Sequence, residues 1–89
     1  MKTGIELIAE EREKQISKHG YTPQHDYGYQ NNELLKAALT YLKAAMGCES
    51  TLDWPFDLKY FHNDGDVENL KKVGAFIAAE LDRLQLSNE

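Results

Sequence analysis

The sequence predicts an all-α domain, a compact arrangement of three main helices with two aromatic loops. Apolar residues recur at three- and four-residue intervals in three segments, at approximately 4–19, 32–46 and 66–85. This spacing is the period of an amphipathic helix. Residues that commonly cap helices precede each segment, and the stretches between the segments are aromatic and polar rather than periodic.

Length and composition limit the class of protein. Eighty-nine residues allow one domain, spanning 1–89, because a chain this short cannot bury two separate cores. Ten basic against fifteen acidic residues give a net charge of -5, which argues against nucleic acid as a partner. The single cysteine, Cys48, excludes an intrachain disulfide and favours the reducing cytoplasm. No apolar run approaches the roughly 20 residues of a membrane span, so we expect no membrane association.

The first helix has clear start and stop signals. Thr3 and Glu6 have the spacing of a capping box, and Gly20 suits a left-handed stop after His19. The apolar stripe between them is narrow. It comprises Ile5, Ile8, Ala9 and Ile16, with Arg12 and Gln15 close to it.

The second helix provides the broadest apolar face of the chain. Asn31 or Asn32 is its predicted cap. The expected core residues are Leu34, Leu35, Ala38, Leu39, Tyr41, Leu42, Ala45 and Met46. Alanines along this helix would allow another helix to approach closely.

The third helix is predicted to begin at Asp64 or Asp66. Its expected core residues are Leu70, Val73, Ile77, Leu81 and Leu84. Gly74 costs about 1 kcal/mol relative to alanine inside a helix. We therefore predict that another helix packs closely against Gly74.

The segment 19–29 contains two histidines, an aspartate and three tyrosines, although a connecting loop normally consists of small, soluble residues. His25 and Asp26 could act as an acid–base pair or contact a ligand. Alternatively, Asp26 forms an Asx turn before Gly28, with Pro23 fixing the approach to it. A third interpretation is a metal site made by His19, His25 and His62 with nearby aspartates, although their spacing is not compact.

The second aromatic loop contains Trp54, Pro55 and Phe56. These rings could stack on a planar ligand or cap the open end of the helical domain. Lys71 and Lys72 follow near the start of the third helix, where cations oppose the helix dipole. We expect a compensating carboxylate or a bound anion there, or else a solvated surface.

Several helical carboxylates suggest an enzymatic alternative. All-α nucleotide pyrophosphohydrolases of the MazG type hold magnesium with carboxylates from two helices. The candidates here are Glu6, Glu10, Glu33, Glu80 and Asp82. Glu6 and Glu10 have the required spacing, whereas Glu80 and Asp82 are two residues apart and point in different directions.

Motifs along nearly the whole chain resemble a family of small phage and prophage proteins. They are Ile8–Arg12 with Gln15–Ile16, Gly20–Thr22, His25–Asp26, Glu33–Leu34 with Ala37–Ala38, Trp54–Phe56, and Asn69–Ala75 with Ala79–Glu80. Members usually have Gly-Trp in place of Gly20-Tyr21. They often have Trp-Pro-Trp in place of Trp54-Pro55-Phe56, so that a tryptophan stands where this chain has Phe56. The resemblance implies an accessory protein in the cytoplasm of a bacterial host, without a settled activity.

A second similarity is to the repeat domains of ryanodine receptors. It is carried by a helix ending in the turn Gly20-Tyr21-Thr22, the following Asp26, and the later run Glu68-Asn69-Leu70-Lys71. The usual His-Pro-Cys-Leu segment of those repeats is missing here. This similarity implies a ligand-binding or partner-binding module rather than a catalyst.

Together these observations predict a non-enzymatic phage accessory protein that binds a small ligand and needs no metal or cofactor. The ligand we expect is a nucleotide-type host defence signal, which the protein would sequester. The predicted contacts are Arg12, Gln15, Tyr21, His25, Asp26, Trp54, Lys71 and Lys72. We expect a homo-oligomer formed through the second or third helix. A module that inhibits a host protein and the MazG-like enzyme are the alternatives.

Overall fold

The computed structural model describes residues 1–28 and 31–87 and confirms the all-α, three-helix prediction. The main helices are α1 (Gly4–His19), α3 (Glu33–Ala45) and α4 (Asp66–Ser87), and a short helix, α2 (Pro23–Asp26), lies between the first two. A 3-10 turn covers Leu58–Tyr60. No strand occurs among the described residues. The loop residue Tyr29 lies outside them.

Both predicted ends of α1 are confirmed. The Thr3 hydroxyl accepts a 3.2 Å hydrogen bond from the Glu6 amide, and the Glu6 carboxylate accepts one of 3.1 Å from the Thr3 amide. The bond from the Thr3 amide to the Glu6 carboxylate is the main reason why the pKa of Glu6 is lowered, and the Thr3 side chain adds to the effect. At the other end, Gly20 adopts a φ of 71°, and its amide donates to the carbonyls of Gln15 and Ile16. This geometry turns the chain sharply into the first aromatic loop.

The first aromatic loop contains α2, which the sequence analysis missed. Thr22 caps this helix by accepting a 3.2 Å hydrogen bond from the His25 amide, and Pro23 occupies its first turn. The predicted Asx turn at Asp26 is wrong, because Asp26 belongs to the helix and its side chain is fully buried.

The start of α3 differs from the predicted asparagine cap. Asn32 occupies the cap position with a φ of 62° but makes no capping hydrogen bond with its side chain. Instead the Glu33 carboxylate accepts a 2.7 Å bond from the Asn31 amide. Helix α4 begins at Asp66, which is one of the two predicted start positions. Gly65, the residue before it, has a φ of 96°.

Helix α4 is the central element, packing against α1, α2 and α3. The core between α3 and α4 is made of small and aromatic side chains. Its members are Leu34, Ala37, Ala38, Tyr41, Phe76 and Ala79, with Trp54, Phe56, Phe61 and Val73 packed against them. The second aromatic loop therefore covers one part of this core.

The predicted leucine-rich core is largely wrong. On α3, the exposed members are Leu35, Leu39, Leu42 and Met46, and on α4 they are Leu70, Ile77, Leu81 and Leu84. Alanines face inward because they let the two helix backbones approach closely around Tyr41 and Phe76. The leucines then lie on the flanks of that contact. Periodicity alone does not distinguish which of two neighbouring apolar stripes is buried.

The close packing predicted at Gly74 is confirmed. A side-chain carbon placed there would lie 2.5 Å from the Ile8 Cδ1 and Cγ1 atoms. Helix α1 therefore seats Ile8 directly on the α4 backbone, which positions the remainder of α1 against the core.

Candidate functional site

The two aromatic loops meet at one pocket, which has a volume of about 130 Å³. Drug-sized ligands usually occupy pockets of roughly 300–1,000 Å³. This pocket therefore suits one planar ring system, with any attached groups extending outside. It is lined by Glu11, Gln15, His19, Tyr21, Tyr41, Trp54, Phe56, Tyr60, His62, Lys72 and Phe76.

Tyr41 forms the back of the pocket and is almost completely buried. Its ring centroid lies 5.5 Å from that of Trp54 in an edge-to-face arrangement and 6.2 Å from that of Phe76 in a stacked one. The Tyr41 hydroxyl accepts a 3.1 Å hydrogen bond from the His62 amide. Burial raises the pKa of Tyr41, so its hydroxyl stays protonated at neutral pH.

Trp54 is held as a rigid, half-buried platform. Its indole N–H donates a 3.0 Å hydrogen bond to the Asp57 carbonyl, which satisfies its polar atom within the loop. Asp53, the residue before Trp54, forms an ion pair with Lys43 of α3 at 2.6 Å. The loop is thereby tied to α3, and the Trp54 ring is left to line the pocket.

Tyr21 contributes a second aromatic surface from the opposite loop. It stacks between His19 and His25, with centroid separations of 5.5 Å and 5.7 Å. Burial is the main reason why the pKa of Tyr21 is raised. Tyr21 and His19 line the pocket, whereas His25 is not among the pocket-lining residues.

Arg12 and Asp26, both predicted as ligand contacts, do not line this pocket and instead belong to a buried network. The Arg12 guanidinium donates hydrogen bonds of 2.9 Å to the Tyr21 carbonyl and 3.2 Å to Asp82 on α4. It also lies 3.8 Å from Asp26, whose other carboxylate oxygen is 3.0 Å from His25 Nδ1. In this structure the two residues position the Tyr21 loop.

The remaining predicted contacts divide between two places. Gln15, Tyr21, Trp54 and Lys72 line the pocket together. Lys71 lines a separate apolar groove with residues of α1, including Leu7 and Ile8. Four of the predicted residues are thus brought together, although the sequence places them in four different segments.

Both lysines have the carboxylate partners that the sequence analysis offered as one interpretation. Lys71 pairs with Glu68 at 3.2 Å, and Lys72 lies 3.6 Å from Asp64. The Lys72 ammonium is also 5.5 Å from the centre of the Tyr41 ring, within cation–π distance. Lys72 therefore provides a positive charge at the edge of the aromatic pocket.

Glu11, like Tyr60 and Phe76, lines the pocket without having been predicted from the sequence. Its side chain is only 9% exposed, and its Oε1 atom accepts no hydrogen bond. The nearest cation is Lys14, with its ammonium 3.6 Å from Oε1 and its side chain half exposed. The signal in the sequence was the narrow apolar stripe of α1, since a helix with few apolar residues must bury polar ones when it packs.

The described residues give no support to the metal hypotheses. They contain no group of three or more histidine, cysteine, aspartate or glutamate side chains arranged to hold an ion. The carboxylates considered for a MazG-like site have other partners. Glu6 caps α1, Glu10 pairs with Lys2, Glu80 with Arg83, and Asp82 with Arg12.

Within the described part of the chain, no helix combines the length and the apolar character needed to cross a bilayer. Comparisons with protein-family models, with curated proteins and with solved structures found no match to this chain. The resemblances to phage accessory proteins and to ryanodine-receptor repeats therefore stay predictions.

Proposed function

We propose that this protein is a non-enzymatic binding protein that holds the planar ring of a nucleotide-type ligand between its two aromatic loops. One observation carries the proposal: Tyr21 and Trp54, which belong to different loops, line the same ring-sized pocket. In a phage-infected bacterium, such a protein would act by sequestering a nucleotide signal of host defence.

The chemistry of the pocket supports a ligand with a ring and an anionic group. Aromatic side chains stack on planar rings and stabilise the bound state of any base, because every base has a flat π-face. Lys72 supplies a charge for a phosphate, and His19 and His62, which line the same pocket, have imidazole rings that can donate hydrogen bonds. Because the pocket volume is about 130 Å³, the sugar and phosphate would remain at its mouth. The acidic net charge of the chain is compatible with this arrangement, since recognition depends on the local field.

A thermal-shift screen of mononucleotides and cyclic nucleotides tests the proposal. A ligand present at 100 times its dissociation constant stabilises the folded state by about 2.7 kcal/mol. Tyr21→Leu and Trp54→Leu should each abolish the shift, because both replacements keep an apolar side chain but remove the ring. Lys71→Ala is the matched control, since Lys71 lines a different groove, and it should retain the shift.

Two results would contradict the proposal. The first is a wild-type melting temperature that no nucleotide changes. The second is a shift that survives in both ring variants, which would place the ligand elsewhere. Circular dichroism of each variant establishes that it is folded before its ligand response is compared.

We also propose that a second copy of the chain covers the exposed apolar stripes. On α4 the stripe comprises Val67, Leu70, Ile77, Leu81 and Leu84, between 42% and 60% exposed. On α3, Leu35, Leu39, Leu42 and Met46 follow the three- and four-residue spacing of helix–helix seams. On α4 the same spacing holds from Val67 to Leu70 and from Ile77 to Leu84, on either side of Gly74, where Ile8 of α1 packs. Monomers rarely expose large apolar surfaces, and two identical stripes can pair about a two-fold axis.

Sedimentation measurements over a range of protein concentrations test self-association. Leu81→Glu should shift the protein toward monomer, because it places a charge in the proposed contact. Leu52→Glu is the control, since Leu52 is 95% exposed in the second loop and lies outside both stripes. A wild-type chain that stays monomeric throughout would refute self-association and favour the alternative of a host-protein partner.

A further inference from the structure

We propose that Glu11 makes the aromatic pocket selective for guanine-type rings, which present two adjacent N–H donors beside a carbonyl acceptor. This inference rests on the proposed function, because it names the ring that the same pocket would take. It begins from Glu11, the one acidic side chain among the described residues that line the pocket.

The Glu11 carboxylate lacks the hydrogen bonds that a buried charge normally has. Its side chain is 9% exposed, and Oε1 has no hydrogen-bond partner in the described structure. Lys14, at 3.6 Å, is too distant to donate to it and is half exposed to solvent. An ionised carboxylate only accepts hydrogen bonds, and leaving it unsatisfied is unfavourable. Oε1 is shielded from solvent, with less than 1 Å² of accessible area, so the Glu11 carboxylate must rotate toward the pocket to meet a ligand. A ligand that donates to the rotated carboxylate would then satisfy it.

Gln15 supplies the complementary group. It follows Glu11 by one helical turn, is almost fully buried, and lines the same pocket. Its Oε1 accepts a 3.2 Å hydrogen bond from the Arg12 guanidinium. Because this bond fixes the orientation of the amide, the NH₂ group is what Gln15 offers to a ligand.

An acceptor beside a donor matches the edge of guanine. Guanine places O6, N1–H and N2–H₂ in a row, so Gln15 can donate to O6 while Glu11 accepts from N1–H and N2–H₂. Adenine presents an acceptor nitrogen next to its amine, cytosine does the same, and uracil flanks its N–H with two carbonyls. Each of these rings would direct an acceptor at a carboxylate, which is repulsive. Lys72 at the pocket edge disfavours a purely cationic ligand and favours one that also carries a phosphate.

Isothermal titration calorimetry with GMP, IMP and AMP tests this selectivity. We expect the wild-type protein to bind GMP best, IMP less tightly because it lacks the N2 amine, and AMP least. Glu11→Gln should weaken GMP binding about tenfold or more, because it removes a charged acceptor and adds a donor facing the N–H groups. The melting temperature of unliganded Glu11→Gln should not fall, since Oε1 has no hydrogen bond to lose.

Lys14→Gln is the matched control and should leave GMP affinity nearly unchanged, because Lys14 is a half-exposed surface partner of Glu11. Equal binding of AMP and GMP, or a GMP preference that persists in Glu11→Gln, would overturn the role of Glu11 while leaving the pocket proposal standing. If none of the three nucleotides binds to the wild-type protein, the proposed nucleotide-binding function and the selectivity both fail.

Discussion

The Arg12 guanidinium donates a 2.9 Å hydrogen bond to the backbone carbonyl of Tyr21, which fixes the first aromatic loop to α1. The same guanidinium reaches Asp82 on α4 at 3.2 Å and faces the buried Asp26 at 3.8 Å. One buried side chain thus links α1, α4 and the loop that carries Tyr21. The geometry of the candidate pocket depends on this link.

Arg12→Met should destabilise the protein by about 3–5 kcal/mol, because it leaves the fully buried Asp26 carboxylate without its cation. Chemical denaturation measures this loss in the free energy of unfolding. Asp82→Asn should cost about 1 kcal/mol or less, since the Asp82 side chain is 42% exposed. Adding Asp26→Asn to Arg12→Met should recover part of the loss. A change below about 1 kcal/mol for Arg12→Met would show that the network contributes little.

Gly74→Ala should destabilise the protein by about 1–3 kcal/mol, because the new methyl group would overlap Ile8. This result opposes helix propensity, which favours alanine by about 1 kcal/mol. Gly4→Ala is the control, because a side-chain carbon there meets no atom within 4 Å. Gly74→Ala should cost less in an Ile8→Ala background than in the wild-type protein, because Ile8→Ala removes all three overlapping atoms. An increase in the melting temperature of Gly74→Ala would contradict the close contact between α1 and α4.

Leu34→Ala and Leu42→Ala distinguish the observed core from the leucine-rich core that periodicity predicts. Leu34 is 2% exposed, so its truncation should cost about 2–5 kcal/mol. Leu42 is 38% exposed in the chain by itself, so its truncation should cost less than half as much. Denaturation at low protein concentration makes the comparison, because self-association would add to the effect of Leu42. Equal losses under those conditions would contradict the assigned core.

Stability should fall as the pH rises above about 10, the usual pKa of tyrosine. Burial raises the pKa of both Tyr21 and Tyr41 in the folded protein. Between the unfolded and folded pKa values, the unfolded chain therefore binds fewer protons, and the free energy of unfolding decreases with pH. Tyr41→Phe should reduce this dependence. Chemical denaturation at a series of pH values measures the free energy of unfolding, and tyrosinate absorbance follows the titration of the tyrosines. A free energy of unfolding that stays constant above pH ~10 would contradict the prediction.

The local signals in the sequence were sufficient for the three main helices and insufficient for the short helix α2 and for the packing. The capping box at Thr3 and Glu6, the stop at Gly20 and the close contact at Gly74 each follow from the chemistry of a single position. The inward orientation of the alanines on α3 does not, because it depends on how closely α4 approaches. The sequence likewise drew attention to Tyr21 and Trp54.

Their meeting at one pocket, and the burial of Glu11 beside them, are tertiary facts that spacing cannot supply. Arg12 illustrates the same limit. A charge on an apolar stripe is compatible with either ligand binding or a buried ion pair, and the partners Asp26 and Asp82 come from distant segments. Only the packing of α1 against α4 distinguishes the two roles.

Trp54 is the only tryptophan of the chain, so its fluorescence reports directly on the central claim that a planar ring binds between the two loops. Titration with GMP, with excitation at the red edge of the indole absorption, should change the Trp54 emission in a saturable way. Tyr21→Leu should abolish the change, and Lys71→Ala should preserve it with the same midpoint. An emission spectrum that no nucleotide alters, or a saturable change that is identical in Tyr21→Leu, would contradict the account.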